Sequence, residues 1–291
     1  VYSLPVVMRL YRTEKVNRAL GEPHNKRTEL ASEMLLVVSR WFPERTFLVV
    51  GDNAYVNRSV FRPLPDNVDF LGRGRLDAAL YDPPPKYCGR GRPRVRGNRL
   101  PSPEARVRRR CWQAVECEIY GRPATVEVQV FDALWYIVAH QRMLRFVLVR
   151  GWPGHDKVDV LVTTDRAMSP REVIALYCHR WSLEETFGWV KSRLGFEDPH
   201  NRTEHAVQRT APMALWTYSL VVLWYAKWAR RRVRLPLLAA PWYRTKEVPS
   251  FADMLATLRR QSWTLWISDQ AQRGHLDQKH LAPLLDLAGY G

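Results

Sequence analysis

The stretch Ser169–Gly195, SPREVIALYCHRWSLEETFGWVKSRLG, decides how this chain is read. Ser169-Pro170-Arg171-Glu172 opens it as a capping box with proline at the first helical position. Met168 and Val173 are spaced for a hydrophobic staple across that cap, and Gly195 is a stop signal. Between these ends the spacing predicts one long helix. Leu176, Leu183, Phe187, Val190 and Leu194 form an apolar stripe on it. Tyr177, Arg180, Glu184 and Lys191 lie beside that stripe; at roughly 100° per residue they fall within an arc of about 60°. A phenol, a carboxylate and two cations on one face suit a metal ion and a phosphate backbone. The alternative is a solvated face with ordinary pairs such as Arg180–Glu184.

Outward from this helix, Phe47-Leu48-Val49-Val50 reads as a short buried strand running into Gly51-Asp52. A carboxylate at such a strand end sits where open α/β sheets place their sites. It is equally the position of an Asp that caps the next helix. Residues 28–41 read as an amphipathic helix, residues 4–10 and 68–71 as strands, and a helix of about two turns is expected after Asp52. Strand alternating with helix predicts an α/β layer around a mostly buried sheet.

The pattern changes at residues 82–110, which hold nine arginines and many prolines and glycines. They read as a loop or linker, and as a phosphate-tracking arm if the charge is used. Paired strands follow over 111–130, then strands at 146–149 and 158–162. A β-rich insert of roughly ninety residues therefore separates the first strands from the long helix. Beyond it come an apolar helix over 205–228, a second basic cluster at Lys227 to Arg234, and a helix at 251–260 capped by Ser250 and Asp253.

The bulk numbers bound the partners. A chain of 291 residues with 46% hydrophobic residues supports real cores, and a net charge of +16 points to a polyanion. Cys88, Cys111, Cys117 and Cys178 lack metal-ligand spacing, which argues against zinc and for a reducing compartment. The apolar run Ala211 to Ala226 is shorter than the ~20 residues a membrane span needs and reads as a buried core helix. Trp112 and Trp135 are the insert's candidates for stacking on a base, although most tryptophans are core.

The spacing Tyr-x2-Arg-x3-Glu-x6-Lys at Tyr177, Arg180, Glu184 and Lys191 resembles the signature of bacterial insertion-sequence transposases of the DDE class. The neighbouring Arg180-Trp181-Ser182-Leu183-Glu184 and Lys191-Ser192-Arg193-Leu194-Gly195 are similar to that family too, as is Val50-Gly51-Asp52-Asn53. The resemblance implies an RNase H-like catalytic core interrupted by a β-rich insertion. Its division would be 1–72 core, 73–165 insertion, 166–231 core with the catalytic-Glu helix, and 232–291 C-terminal helical region. It also implies Mg2+-dependent DNA strand cleavage and transfer at a two-metal site, with Asp52 and Glu184 as the second and third metal ligands. Tyr177, Arg180 and Lys191 would contact the double-stranded DNA of transposon ends. A possible homodimer and a cytoplasmic, nucleoid-associated location follow from the same resemblance.

No aspartate precedes Asp52. The expectation is accordingly an N-terminally truncated chain whose first two core strands are missing, with an exposed sheet edge. Glu14, Glu22, Glu29 and Glu33 are poor substitutes for the first Asp of the family triad. Such a chain would be inactive alone, or would persist as a non-catalytic DNA-binding remnant that inhibits a full-length partner. A basic membrane-associated protein anchored by residues 211–226 is the reading from another class.

Overall fold

The computed structural model describes residues 2–89, 91–197, 203–229 and 248–274. The elements run α1 (Glu14–Leu20), α2 (Arg27–Trp41), β1 (Phe47–Gly51), a 3-10 turn (Asn53–Tyr55), α3 (Arg58–Phe61), β2 (Val68–Arg73), β3 (Leu80–Tyr81) and β4 (Arg99–Leu100). They continue with α4 (Pro103–Val107), β5 (Gln113–Ile119), β6 (Arg122–Leu134), α5 (Tyr136–Ala139), β7 (Met143–Arg150), β8 (Asp159–Thr163), α6 (Pro170–Cys178), α7 (Trp181–Leu194), α8 (Glu204–Trp224), a π-helical turn (Tyr225–Ala229) and α9 (Phe251–Gln272). The chain divides into two compact units, Val7–Trp181 and Val1–Val6 with Ser182–Gly291.

The first unit is a mixed α/β fold on one open sheet, in the order β1-β2-β8-β7-β6-β3-β4 with β5 on β6. Among the described residues only β1 and β2 pair in parallel, and every other strand pair is antiparallel. Period-two alternation explains why the sheet is covered on both sides. Phe47 and Val49 of β1, Phe70 of β2, Phe146 of β7 and Val162 of β8 enter one core, with Val60 and Phe61 of α3 and Val138 of α5. Leu48 and Val50, Leu71, Val147 and Leu161 face the other way, onto Val173, Ile174 and Cys178 of α6.

β1 lies at the end of the sheet order, so its outer edge has no strand neighbour among the described residues. The strand expected at 4–10 is not formed. That segment has no regular structure and pairs with no strand, and an isolated strand cannot satisfy its backbone groups. The two-turn helix expected after Asp52 is instead the 3-10 turn and the single turn of α3.

The arginine-rich segment is more ordered than a linker. Tyr81 and Arg99 pair across β3 and β4, and Ser102 caps α4 by accepting from the Ala105 N–H. Two of its arginines lie on aromatic rings: Arg96 is 4.2 Å from the Tyr81 centroid and Arg106 is 3.9 Å from that of Phe131. Arg92, Arg94, Arg96, Arg99 and Arg108 to Arg110 remain exposed.

The second unit packs the inner face of α8 against α9. Ala214, Leu215, Tyr218, Val221 and Val222 meet Phe251, Met254 and Leu255, with Val190 of α7 and Leu4 on the same core. The run 211–226 is therefore buried on one face only. Its other face carries Met213, Trp216, Leu220 and Leu223, which are 53%, 60%, 48% and 43% exposed. Helix α9 runs well past residue 260, from the Ser250–Asp253 capping box to Gln272. Of the second basic cluster, Lys227 is exposed, and Arg230 to Arg234 lie outside the described residues.

Candidate functional site

The long helix expected over 170–194 is broken. α6 ends at Cys178, and the His179 and Arg180 N–H groups bond to the carbonyls three residues back, Leu176 and Tyr177. α7 then restarts at Trp181. The four signature residues thus do not share one helix face. Tyr177 closes α6, Arg180 sits in the turn, and Glu184 and Lys191 belong to α7. The apolar stripe divides with them: Val190 is buried, whereas Leu183 and Phe187 are 46% and 37% exposed.

In the first unit the connection from β8 into α6 carries Tyr177 to a definite place. β8 runs antiparallel to β2, pairing Leu71 with Thr163 and Arg73 with Leu161. α6 then returns over the sheet face. Nine helical residues rise about 13 Å, close to the ~16 Å of a five-residue strand, so the helix ends near the C-terminal edge of β1 and β2. Asp52 and Arg73 stand at that edge.

The Tyr177 hydroxyl registers all of these groups. Burial pushes its pKa up; Arg180 opposes this, Asp52 raises it further, and Arg73 and a hydrogen bond from Arg180 lower it. The net direction is upward, so the phenol stays protonated well into the alkaline range. Around it are Trp152, 6.4 Å away edge-on, and the Arg180 guanidinium at 5.9 Å from the ring. Tyr120 extends this cluster by contacting Trp152 and Trp181. Tyr120 and Gly121, both at positive φ, form the two-residue turn between β5 and β6. Such turns require that backbone, which glycine adopts freely and tyrosine rarely.

Asp52 is exposed and is the N-cap of the 3-10 turn, where its Oδ1 accepts from the Asn53 N–H at 2.7 Å. The capping role weighed from the sequence is present. It leaves the side chain at the surface at the end of β1. Two glycines in register, Gly51 and Gly72, flank the Phe70 ring there. A Cβ on Gly51 would lie 2.5 Å from Phe70 Cζ, and one on Gly72 would lie 2.6 Å from Val56 Cγ2. The absent side chains let the Phe70 ring fill the space beside Gly51, the residue before Asp52. Arg73 pairs with the buried Asp159, which His155 also contacts at 3.1 Å.

In the second unit Glu184 and Lys191 line a shallow cleft of about 570 Å3 with Phe187, Gly188, Phe196 and Glu197. Lys191 Nζ is 2.5 Å from a Glu197 carboxylate oxygen. Both groups are solvent-exposed, so this pair costs little to exchange for another anion. Phe187 and Phe196 meet edge-to-face at 6.1 Å.

Among the described residues no group of three or more His, Cys, Asp or Glu side chains is clustered for a metal. Asp52 and Glu184 are hard oxygen donors of the type magnesium takes alongside its own waters. Of the two tryptophans considered for stacking, Trp135 is 5% exposed and belongs to the core. Trp112 is half-buried under the Arg150 guanidinium at 4.4 Å. Arg73, Tyr120 and Trp152 escaped the sequence reading. The Tyr-Gly pair at 120–121 between two alternating runs is the one local signal that marks this hairpin tip.

Residues 25–220 match the family model described as Transposase DDE domain, and the chain belongs to that family of DDE-type transposases. DNA transposition is the family function, DNA its substrate and a divalent metal its usual cofactor. No curated protein matches the sequence. No helix among the described residues is long and apolar enough to cross a membrane.

Proposed function

We propose that this chain carries part of the catalytic apparatus of a cut-and-paste transposase of the Tyr-Arg-Glu-Lys type, on an RNase H-like core. The functional division is the one expected from sequence: core at 1–72 and 166–231, a β-rich insertion at 73–165, and a C-terminal region at 232–291. Asp52 and Glu184 are two of the three carboxylates that hold Mg2+. Tyr177, Arg180 and Lys191 bind the phosphates of transposon-end DNA.

The observation that carries the reading is the company of the Tyr177 hydroxyl, with Arg180, Asp52 and Arg73 all acting on it. A protonated phenol donates to a phosphate oxygen, and a guanidinium beside it takes the same group by charge-assisted hydrogen bonds. The bound ions would activate the attacking oxygen and stabilise the leaving one in an in-line displacement. The protein's own part is to orient the strand and neutralise it. Exposed arginines of the 92–110 segment and Lys227 extend the basic footprint along the duplex. Because only Asp52 and Glu184 serve the three-carboxylate site, these 291 residues by themselves do not cleave DNA.

The test separates binding from metal chemistry. Duplex DNA carrying the transposon end is titrated at several salt concentrations. Arg180→Ala and Lys191→Ala each lower the slope of log K against log salt by about 0.9, one phosphate contact each. Asp52→Asn leaves that slope unchanged and weakens Mn2+ binding. Unchanged slopes in both cation variants would return the signature to a solvated face.

A further inference from the structure

Another cavity lies in the first unit, at the opposite edge of the sheet from Asp52. It measures about 560 Å3, and Arg62, Asp66, His140 and Arg142 line it together with the buried Phe61 and Leu64. The loop from α3 to β2 supplies Arg62 and Asp66, and the turn from α5 to β7 supplies His140 and Arg142. β2 and β7 both start at this edge, since each runs antiparallel to β8. Asp52 follows the far end of β1, which is parallel to β2. A strand length, about 16 Å, therefore separates the cavity from the Asp52 edge.

The turn at the cavity is strained. The Arg142 N–H closes it on the Ala139 carbonyl at 3.0 Å. His140 holds the first central position at φ 53° and ψ −117°. That is close to a type II′ turn, whose first central residue is ordinarily glycine. A side chain kept on such a backbone is costly, and strain of this kind gathers where the side chain is used. The two guanidinium groups are held but not spent. Arg62 donates from Nη2 to the Ile137 carbonyl at 3.1 Å and, among the described residues, has no carboxylate partner. Arg142 reaches Asp69 at a long 3.4 Å, and that carboxylate already accepts a 2.6 Å bond from the Thr164 hydroxyl. Asp66 lines the same cavity and, among the described residues, is ion-paired with neither arginine.

We propose that this cavity binds a small phosphorylated sugar, as ribose 5-phosphate or as the ribose phosphate of a nucleoside monophosphate. Arg62 and Arg142 take the phosphate by charge-assisted hydrogen bonds, and the His140 imidazole adds a further N–H. Asp66 decides the rest of the ligand. A bare anion would leave this carboxylate facing like charge, whereas ribose hydroxyls donate to it, as they do to the acidic residue of dinucleotide sites. The volume lies in the range of small-molecule sites.

The proposal stands apart from the transposase reading, and its binding test needs no metal. The full chain is titrated calorimetrically with ribose 5-phosphate, 2-deoxyribose 5-phosphate, adenosine 5′-monophosphate and inorganic phosphate. Ribose 5-phosphate is expected to bind with a Kd of about 1 mM or tighter, and the deoxy sugar and inorganic phosphate about tenfold more weakly. The nucleotide binding about tenfold tighter than ribose 5-phosphate would support the proposal with nucleotides as the source; equal or weaker nucleotide binding would support it with the free sugar phosphate. Arg62→Gln and Arg142→Gln should each weaken binding about tenfold. Asp66→Asn should weaken binding of ribose 5-phosphate but not of inorganic phosphate. His140→Gly should weaken binding and yet raise the urea midpoint by about 0.5 M, because glycine relieves the turn. Arg62→Gln gives up one exposed carbonyl bond, so it keeps the test decisive where Arg142→Gln fails to fold. No binding of any probe at about 10 mM overturns the proposal, as does binding that Arg62→Gln leaves intact. Inorganic phosphate bound as tightly as ribose 5-phosphate overturns it in favour of a bare anion site. Displacement of ribose 5-phosphate by duplex DNA overturns it in favour of backbone phosphates.

Discussion

Replacing Gly51 with alanine tests how the strand end holds Asp52. The new Cβ would sit 2.5 Å from Phe70 Cζ and 3.2 Å from its Cε1. The Phe70 ring has nowhere to retreat: it is 2% exposed and packs on Phe61 at a centroid distance of 4.9 Å. Either the ring leaves its rotamer or β1 lifts from β2. Overpacking of this kind costs about 1–3 kcal/mol. With a urea m-value of about 2 kcal/mol per M, a 2 kcal/mol loss lowers the unfolding midpoint by about 1 M. Phe70→Leu alone is destabilising because it opens a cavity, but in the double variant the smaller side chain makes room for the alanine. The two changes should therefore cost less together than their sum, with a coupling of about 1 kcal/mol or more. Urea unfolding followed by tryptophan fluorescence gives all four corners of the cycle. An unchanged midpoint in Gly51→Ala, or strict additivity, would refute the claim that the Phe70 ring fills the space beside Gly51.

Three further outcomes follow from burial and charge. Burial pushes the thiol pKa of Cys117 and Cys178 up, whereas Cys88 and Cys111 are exposed; a thiol reagent at neutral pH should label the exposed pair quickly and the other two only on unfolding. Burial likewise raises the pKa of Tyr2, Tyr120, Tyr177 and Tyr218. A raised folded-state pKa means the native state holds its proton more tightly, so this contribution is complete below about pH 10 and is lost as pH climbs through the folded values. The urea midpoint should fall above about pH 10, and a flat profile to pH 11.5 would contradict it. Asp132 behaves oppositely: burial raises its pKa, but hydrogen bonds from Arg145 and Arg166 outweigh that and hold it low. Asp132→Asn should therefore remove stability that the wild type has at neutral pH and loses in acid, measurable as a smaller drop in midpoint between pH 6 and pH 3.

Much of the fold was legible because its signals are local. Alternation marked β5 and β6, apolar runs marked β2, β7 and β8, and β1 declared itself as a short apolar run into Gly51-Asp52. The capping boxes at Ser169 and Ser250 placed two helix starts. The break at His179–Arg180 was not legible. His179 keeps helical dihedrals, and neither glycine nor proline interrupts the run, so the 3.6-residue pattern continues through a turn that only its hydrogen bonds reveal. Ser102-Pro103-Glu104 repeats the Ser169-Pro170 cap signature, and α4 was hidden by the surrounding arginines and prolines. Residues 4–10 carry strand composition without a strand, since pairing partners are a property of the whole sheet. The candidate site divides along the same line. Tyr177, Arg180, Glu184 and Lys191 were visible through spacing. Arg73, Tyr120 and Trp152 join Tyr177 only through β2, the β5–β6 hairpin and the loop after β7, at separations no periodicity spans.

Iron(II) substituted for magnesium, with ascorbate and peroxide, cuts a polypeptide where the ion is held. If Asp52 and Glu184 grip the same divalent cation, fragments should map to the chain on both sides of residue 52 and of residue 184, and Asp52→Asn should abolish both sets at once. Cuts at only one of these positions, or cuts that survive the substitution, would contradict the assignment.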